Sequence, residues 1–224
     1  MKGEALVYDF GYGEVDSCRW INADGRAGGI VADSAAVAAT AFIGPDASIG
    51  PGAIIGDGAG IGDKACIGYR ASIAAGVSIG AYAVIGYRAS IAAGVSIGAY
   101  AAIGDMASIA AGVSIGDRAV IRRGATIGEE AIIDPEARIG DGAAISPGAV
   151  IGYGASIGDR AVIGEGAVIG DGAVTGYGAS IGAGASIGGY AVIGFRASIG
   201  PEAIIGDDAE IEAYARIAQE EISE

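Results

Sequence analysis

From Val31 to Ile217 an aliphatic residue returns at every sixth position, with Thr175 the one departure. Two residues before each sits a small one: Ala35, Ala41, Ala47 and onward to Ala215, replaced by Val at Val77, Val95 and Val113. Gly follows most of the aliphatic residues, so the unit reads I-G-x-x-A-x, as in Ile169-Gly170-Asp171-Gly172-Ala173-Val174. A period of six excludes a helix, on which successive Ile would lie about 600° apart and smear over several faces. Strand side chains alternate with period two, so each Ala shares a face with the Ile two positions on. The x-x pair and the Gly before it then form a turn, with Gly supplying left-handed backbone freedom. Units identical in phase cannot make a meander of alternating hairpins. They make a solenoid, in which three strands form a triangular coil of 18 residues and coils stack through parallel ladders.

The coil length shows in a second way. Ile67 to Val84 recurs as Ile85 to Ala102 with only the last residue changed. It recurs again as Ile103 to Val120, changed at Asp105, Met106, Asp117 and Arg118. A block of three hexads preserves every column when inserted, whether by natural duplication or by deliberate engineering. About ten coils at about 4.8 Å each make a rod on the order of 50 Å long.

The array resembles the hexapeptide-repeat family of left-handed β-helices, which includes many acyltransferases and the gamma-class carbonic anhydrases. The likeness covers roughly Val31 to Ile217. It implies an all-β, left-handed parallel β-helix, and the handedness rests on the resemblance. Acyltransferases of this family use a His general base, usually with a loop interrupting the repeats near the acyl donor. The carbonic anhydrases bind zinc through three His at a subunit interface. This chain has no His and no break in register, so neither motif carries over to any of its residues. No catalytic residue, cofactor or metal ligand is expected from the sequence.

Composition removes other classes. Gly 43 beside Pro 5 is not the collagen pattern, and a hydrophobic fraction of 52% opposes disorder. A net charge of −14 argues against nucleic acid and anionic membrane as partners. No apolar run of about 18 residues escapes Gly or a charge, so membrane insertion is not expected. The opening MKGEALVYDFGYGEV lacks the apolar core of a secretory signal, which leaves the cytoplasm as the default location. Cys18 and Cys66 are too few for a disulfide framework.

The outward residue before each Ile falls in one of three columns. The first contains Val84 and Val120, the second Ser72, Ser90 and Ser108, and the third Ser78, Ser96, Ser114, Ile132, Val150 and Val168. Charges are almost missing from all three. Such faces are either simple solvated sheet or packing surfaces between solenoids, and the second reading makes the chain its own partner, as a trimer or a lateral or end-to-end assembly. An ice-binding surface would need ordered rows of Thr, and there are too few. Charges and aromatics collect at the corners instead. Tyr69-Arg70 stacks under Tyr87-Arg88, with Phe195-Arg196 further along the same column. This arrangement gives weak cation–π gains and reads as a solubilising corner before a ligand site. Asp141, Asp159, Glu165, Asp171 and Asp207 also lie at corners. A pair one coil apart, such as Asp141 and Asp159, offers too few oxygens for calcium.

Residues 1–30 read as a hairpin-like cap holding Trp20, in which Ala5–Phe10 and Glu14–Ile21 join through Gly11-Tyr12-Gly13 and cover the first coil. The repeat occupies 31–218, and 219–224 forms a short acidic tail. The resulting expectation is a non-catalytic structural rod that self-associates through its flat faces. An acyltransferase-like enzyme with a degenerate or non-His site is the alternative, and an ice-binding protein a remote one.

Overall fold

The computed structural model describes residues 1–11, 13–218 and 221–222; Tyr12 and most of the tail expected at 219–224 lie outside them. Two antiparallel strands, β1 (Lys2–Asp9) and β2 (Glu14–Ile21), open the chain. The strand β3 (Ala27–Ala32) follows, and from there two-residue strands recur every six residues, beginning with Ala36–Val37. Each short strand pairs in parallel with the strand 18 residues on, as Ser72 with Ser90 and Ile73 with Ile91. The repeats thus wind into a left-handed parallel β-helix of about ten coils with three sheets. We call the sheet carrying Cys66 and Val84 the first, that carrying Ser72 the second, and that carrying Ser78 the third.

The core is the repeat read lengthwise. The Ile and Ala columns are buried from Ala41 to Ile211 and half-buried at Ala35, Val37, Ala215 and Ile217, and the register never slips between Val31 and Ile211. Thr175 is buried in the same column, where its Oγ1 accepts a hydrogen bond from the Gly158 amide at 3.3 Å. Each inward Ile contributes about 1.5–3 kcal/mol of burial relative to exposure, so every coil adds a similar increment.

The turns fall on the x-x pairs. The left-handed residue is the second x of the pair, whether Gly172 (φ 65°) or a side chain such as Arg70 (φ 55°) or Tyr100 (φ 60°). The Gly after Ile is needed for space. A Cβ on Gly98 would stand 2.5 Å from both the Asp117 amide nitrogen and Asp117 Oδ1 in the next coil. That Oδ1 accepts a hydrogen bond from the Ala99 amide at 2.7 Å, stapling one turn to the turn before it. Asp105, Asp141, Asp159, Asp171 and Asp207 do the same for the amides of Tyr87, Arg123, Asp141, Tyr153 and Gly189.

β2 pairs antiparallel with β3, which in turn pairs in parallel with Ser48–Ile49, so the N-terminal hairpin extends the first sheet. It covers the open edge of the first sheet, and the Asn22 side chain just beyond β2 accepts from the Ile43 amide at 2.8 Å and donates to the Ile43 carbonyl at 2.9 Å at the edge of the third. Trp20 is buried over the first coil, and an open hollow of about 390 Å³ remains between Met1, Trp20, Val31 and Val37.

Candidate functional site

Three corners run the length of the rod, and they are not alike. The first–second corner carries Tyr69-Arg70, Tyr87-Arg88, Arg122-Arg123, Asp159-Arg160, Tyr177 and Phe195-Arg196. Tyr69 and Tyr87 stack with ring centroids 5.7 Å apart, and the Arg70 and Arg88 guanidiniums lie 4.9 and 5.0 Å from the centroids of their neighbouring rings. Tyr177 stacks on Phe195 at 5.5 Å, and Arg160 donates to the Tyr177 hydroxyl at 2.7 Å. These rings align because the turn repeats every 18 residues with fixed left-handed geometry.

A furrow of about 180 Å³ opens beside this ladder, lined by Phe10, Cys66, Tyr69, Val84, Tyr87 and Asp105. Phe10 arrives from the hairpin tip, where its ring meets Tyr8 edge-on at 4.8 Å. No spacing in the chain links residue 10 to residue 69, so this contribution went unseen. The groups here able to take or give a proton are the exposed thiol of Cys66, the Asp105 carboxylate and the two phenols. Cys66 and Cys18 are both free thiols, and Cys18 is buried.

The remaining perturbed groups do not supply a neutral base. At the third–first corner the Tyr82 hydroxyl accepts from Lys64 Nζ at 3.2 Å and raises the lysine above its ordinary range, holding it charged. A hydrogen bond with Glu136 raises Tyr153. Burial pushes the Cys18 thiol up, with Lys2 opposing. Among the described residues no group of three or more acidic or sulfur ligands could hold a metal ion. The oxygens of Asp141 and Asp159 do not converge on a shared cation either, since Asp159 Oδ1 is taken by the Asp141 amide at 2.8 Å.

The outward columns sit where the spacing placed them. Ser72, Ser90 and Ser108 are register neighbours on the second sheet. Ser78, Ser96, Ser114, Ile132, Val150 and Val168 succeed one another on the third. Val84 and Val120 flank Ala102 on the first. Val84, Ile132 and Val168 are exposed, and Val120 and Val150 are half-buried. No helix among the described residues is long and apolar enough to cross a membrane.

A family model of bacterial transferase hexapeptides, comprising six repeats, matches residues 136–171. The fold is similar to that of UDP-N-acetylglucosamine O-acyltransferase from Moraxella catarrhalis RH4, at 19% identity over 80% of this chain and 71% of that one, with a TM-score of 0.49. It is also similar to PerB from Caulobacter crescentus, solved with CoA and GDP-perosamine, at 23% identity over 45% of this chain and 48% of that one, TM-score 0.44. A third likeness is to UDP-N-acetylglucosamine acyltransferase from Arabidopsis, at 16% identity, 80% and 70% coverage, TM-score 0.42. At these identities the likeness is one of fold. No curated protein matches the sequence. The expectation of a chain that does no chemistry is corrected here: the family model that matches residues 136–171 is one of transferases. The error lay in equating the absence of His with the absence of a reaction.

Proposed function

From its place among the hexapeptide-repeat left-handed β-helices, we propose that this chain is an acyltransferase-like enzyme whose site is not built on histidine. The observation that carries the reading is the match of the transferase hexapeptide model to residues 136–171. The furrow beside Tyr69 and Tyr87 adds a place for chemistry, because it brings a carboxylate and a thiol to one wall. A carboxylate can serve as general base for an attacking hydroxyl or amine when substrate holds the two within hydrogen-bond reach. Asp105 Oδ1 is occupied by the Tyr87 amide at 2.8 Å, which fixes the carboxylate and leaves its second oxygen to act.

The test is direct. Acyl-CoA thioesters and nucleotide sugars are titrated against the full chain, with thermal midpoint and thiol release as readouts. A saturable shift with turnover that falls at least tenfold in Asp105→Asn supports the reading, since Asn keeps the oxygen for the Tyr87 amide and loses the base. Neither binding nor turnover with either class would remove it. Turnover untouched by Asp105→Asn would move the site elsewhere on the rod.

A further inference from the structure

The first coil presents three strand edges at the N-terminal end of the rod, and two of them are closed. β2 covers the edge of the first sheet. At the edge of the third, the Asn22 carboxamide meets both the amide and the carbonyl of Ile43. The equivalent residue of the second sheet is Val37, which pairs with Ile55 in the next coil. Its own amide and carbonyl face the other way and meet no hydrogen-bond partner among the described residues. The Ala35 carbonyl beside them is likewise unmet.

This open edge borders the hollow of about 390 Å³, whose walls include Met1, Trp20, Val31, Ala35 and Val37. Trp20 is only 5% exposed, and its Nε1 is the one buried side-chain polar atom among the described residues without a partner. An unpaired strand edge is a template for another strand, and a hollow of this size suits a bound ligand.

The rod itself shows what covers such an edge. The Ala36 and Ala38 amides donate to the Ala53 and Ile55 carbonyls, each at 2.9 Å, while Val37 between them points into the core. By the same rule the Ala35 and Val37 carbonyls call for two amides on either side of an inward aliphatic residue. A second rod cannot stack a whole coil here, because β1 and β2 already carry the first sheet two strands further. A single strand fits.

We propose that the hollow binds an extended peptide of a partner protein, lying parallel to Ala36–Val37 as one further strand of the second sheet. Its central residue is aliphatic and enters the hollow. The amides of the residues before and after it donate to the Ala35 and Val37 carbonyls, and the carbonyl before it accepts from the Val37 amide. Backbone pairing supplies the affinity and the apolar hollow the selectivity. A charged central residue is rejected, since nothing apolar there repays its desolvation. The inference is independent of any transferase activity.

The test uses the full chain and a synthetic peptide copying Ala89 to Ala93, acetylated and amidated at its ends. Within the rod the Ser90 and Ala92 amides make the equivalent bonds, each at 2.9 Å, to Ala107 and Ile109. Trp20 is the only Trp in the chain, so its fluorescence reports on the hollow. A saturable change is expected. The Val37 amide should exchange rapidly in the free chain and at least about tenfold more slowly at saturation, whereas the Ile43 amide should be slow in both. N-methylation at the Ala92 position removes the donor to Val37 and should raise the dissociation constant about tenfold or more. Ile91→Asp in the peptide should abolish binding. No saturable change would overturn the proposal. So would binding indifferent to the N-methyl group, which marks mere apolar adsorption. A Val37 amide already slow in the free chain would overturn it too, and slowing that grows with protein concentration would identify a second copy as the occupant.

Discussion

At the scale of single residues the repeat is a set of steric permissions. Gly98 is small because Asp117 of the next coil needs the space to reach the Ala99 amide. Space is short without an Asp too: a Cβ on Gly56 would stand 2.6 Å from the Ala75 amide nitrogen, although Ala is accepted at Ala74 and Ala92. Arg122 tests the rule, since it precedes Asp141 and has a Cβ. There the staple to the Arg123 amide stretches to 3.1 Å, against 2.7 Å at Asp117. Gly98→Ala is therefore expected to cost about 1–3 kcal/mol, and Asp117→Ala about 1 kcal/mol. In the Asp117→Ala background, Gly98→Ala should cost less, because one of its three close contacts, that with Asp117 Oδ1, has gone. A double-mutant cycle from urea midpoints measures that coupling, and strict additivity would sink the account. Thr175 sits between Ile157 and Ile193 in a column otherwise aliphatic. Thr175→Ile adds apolar burial where its neighbours already fit Ile, and should raise stability by about 1 kcal/mol. A lower urea midpoint would show that the Gly158 hydrogen bond matters more.

Elements differ in how far they could be read. The two-residue strands follow from the columns alone, because period-two alternation inside a period-six repeat leaves nowhere else for Ile to point. The turn reading left open which of its glycines is left-handed, since sequence spacing shows which residues are permissive but not whether space or φ makes them so. Phe10 entered the candidate furrow unannounced because a non-repeating hairpin has no column to be counted in. The corner ladders were legible as columns. The hairpin also has a consequence at this scale. β2 occupies the edge of β3, and without it the backbone of β3 would offer unpaired donors and acceptors. Removing residues 1–26 is expected to leave the repeats folded but to produce concentration-dependent aggregation. Light scattering with circular dichroism separates that outcome from simple unfolding.

For the whole molecule, the interior and the exterior obey different symmetries. Inside, every hexad is equivalent, since each supplies one small and one aliphatic residue to the core. Outside, three hexads are needed before a corner meets its own kind again, as Tyr69 meets Tyr87. Two deletions separate the rules. Removing Ile85 to Ala102 takes out one coil and keeps every downstream column on its own face. Stability should then fall only by roughly the share of one coil, because solenoid energetics are close to a sum of nearest-neighbour terms. Removing a single hexad, such as Gly140 to Ile145, also leaves the aliphatic column unbroken, so the chain should still fold with similar cooperativity. Every downstream residue, however, moves to the preceding corner. Arg160 would join the third–first corner and Glu165 the first–second, placing unlike charges out of register with the unshifted coils. Both deletions should therefore keep the fold by circular dichroism, and only the six-residue deletion should part Arg122 from Asp159, which pair at 3.8 Å across one coil. If both deletions unfold the chain, the core is less permissive than its repeat implies.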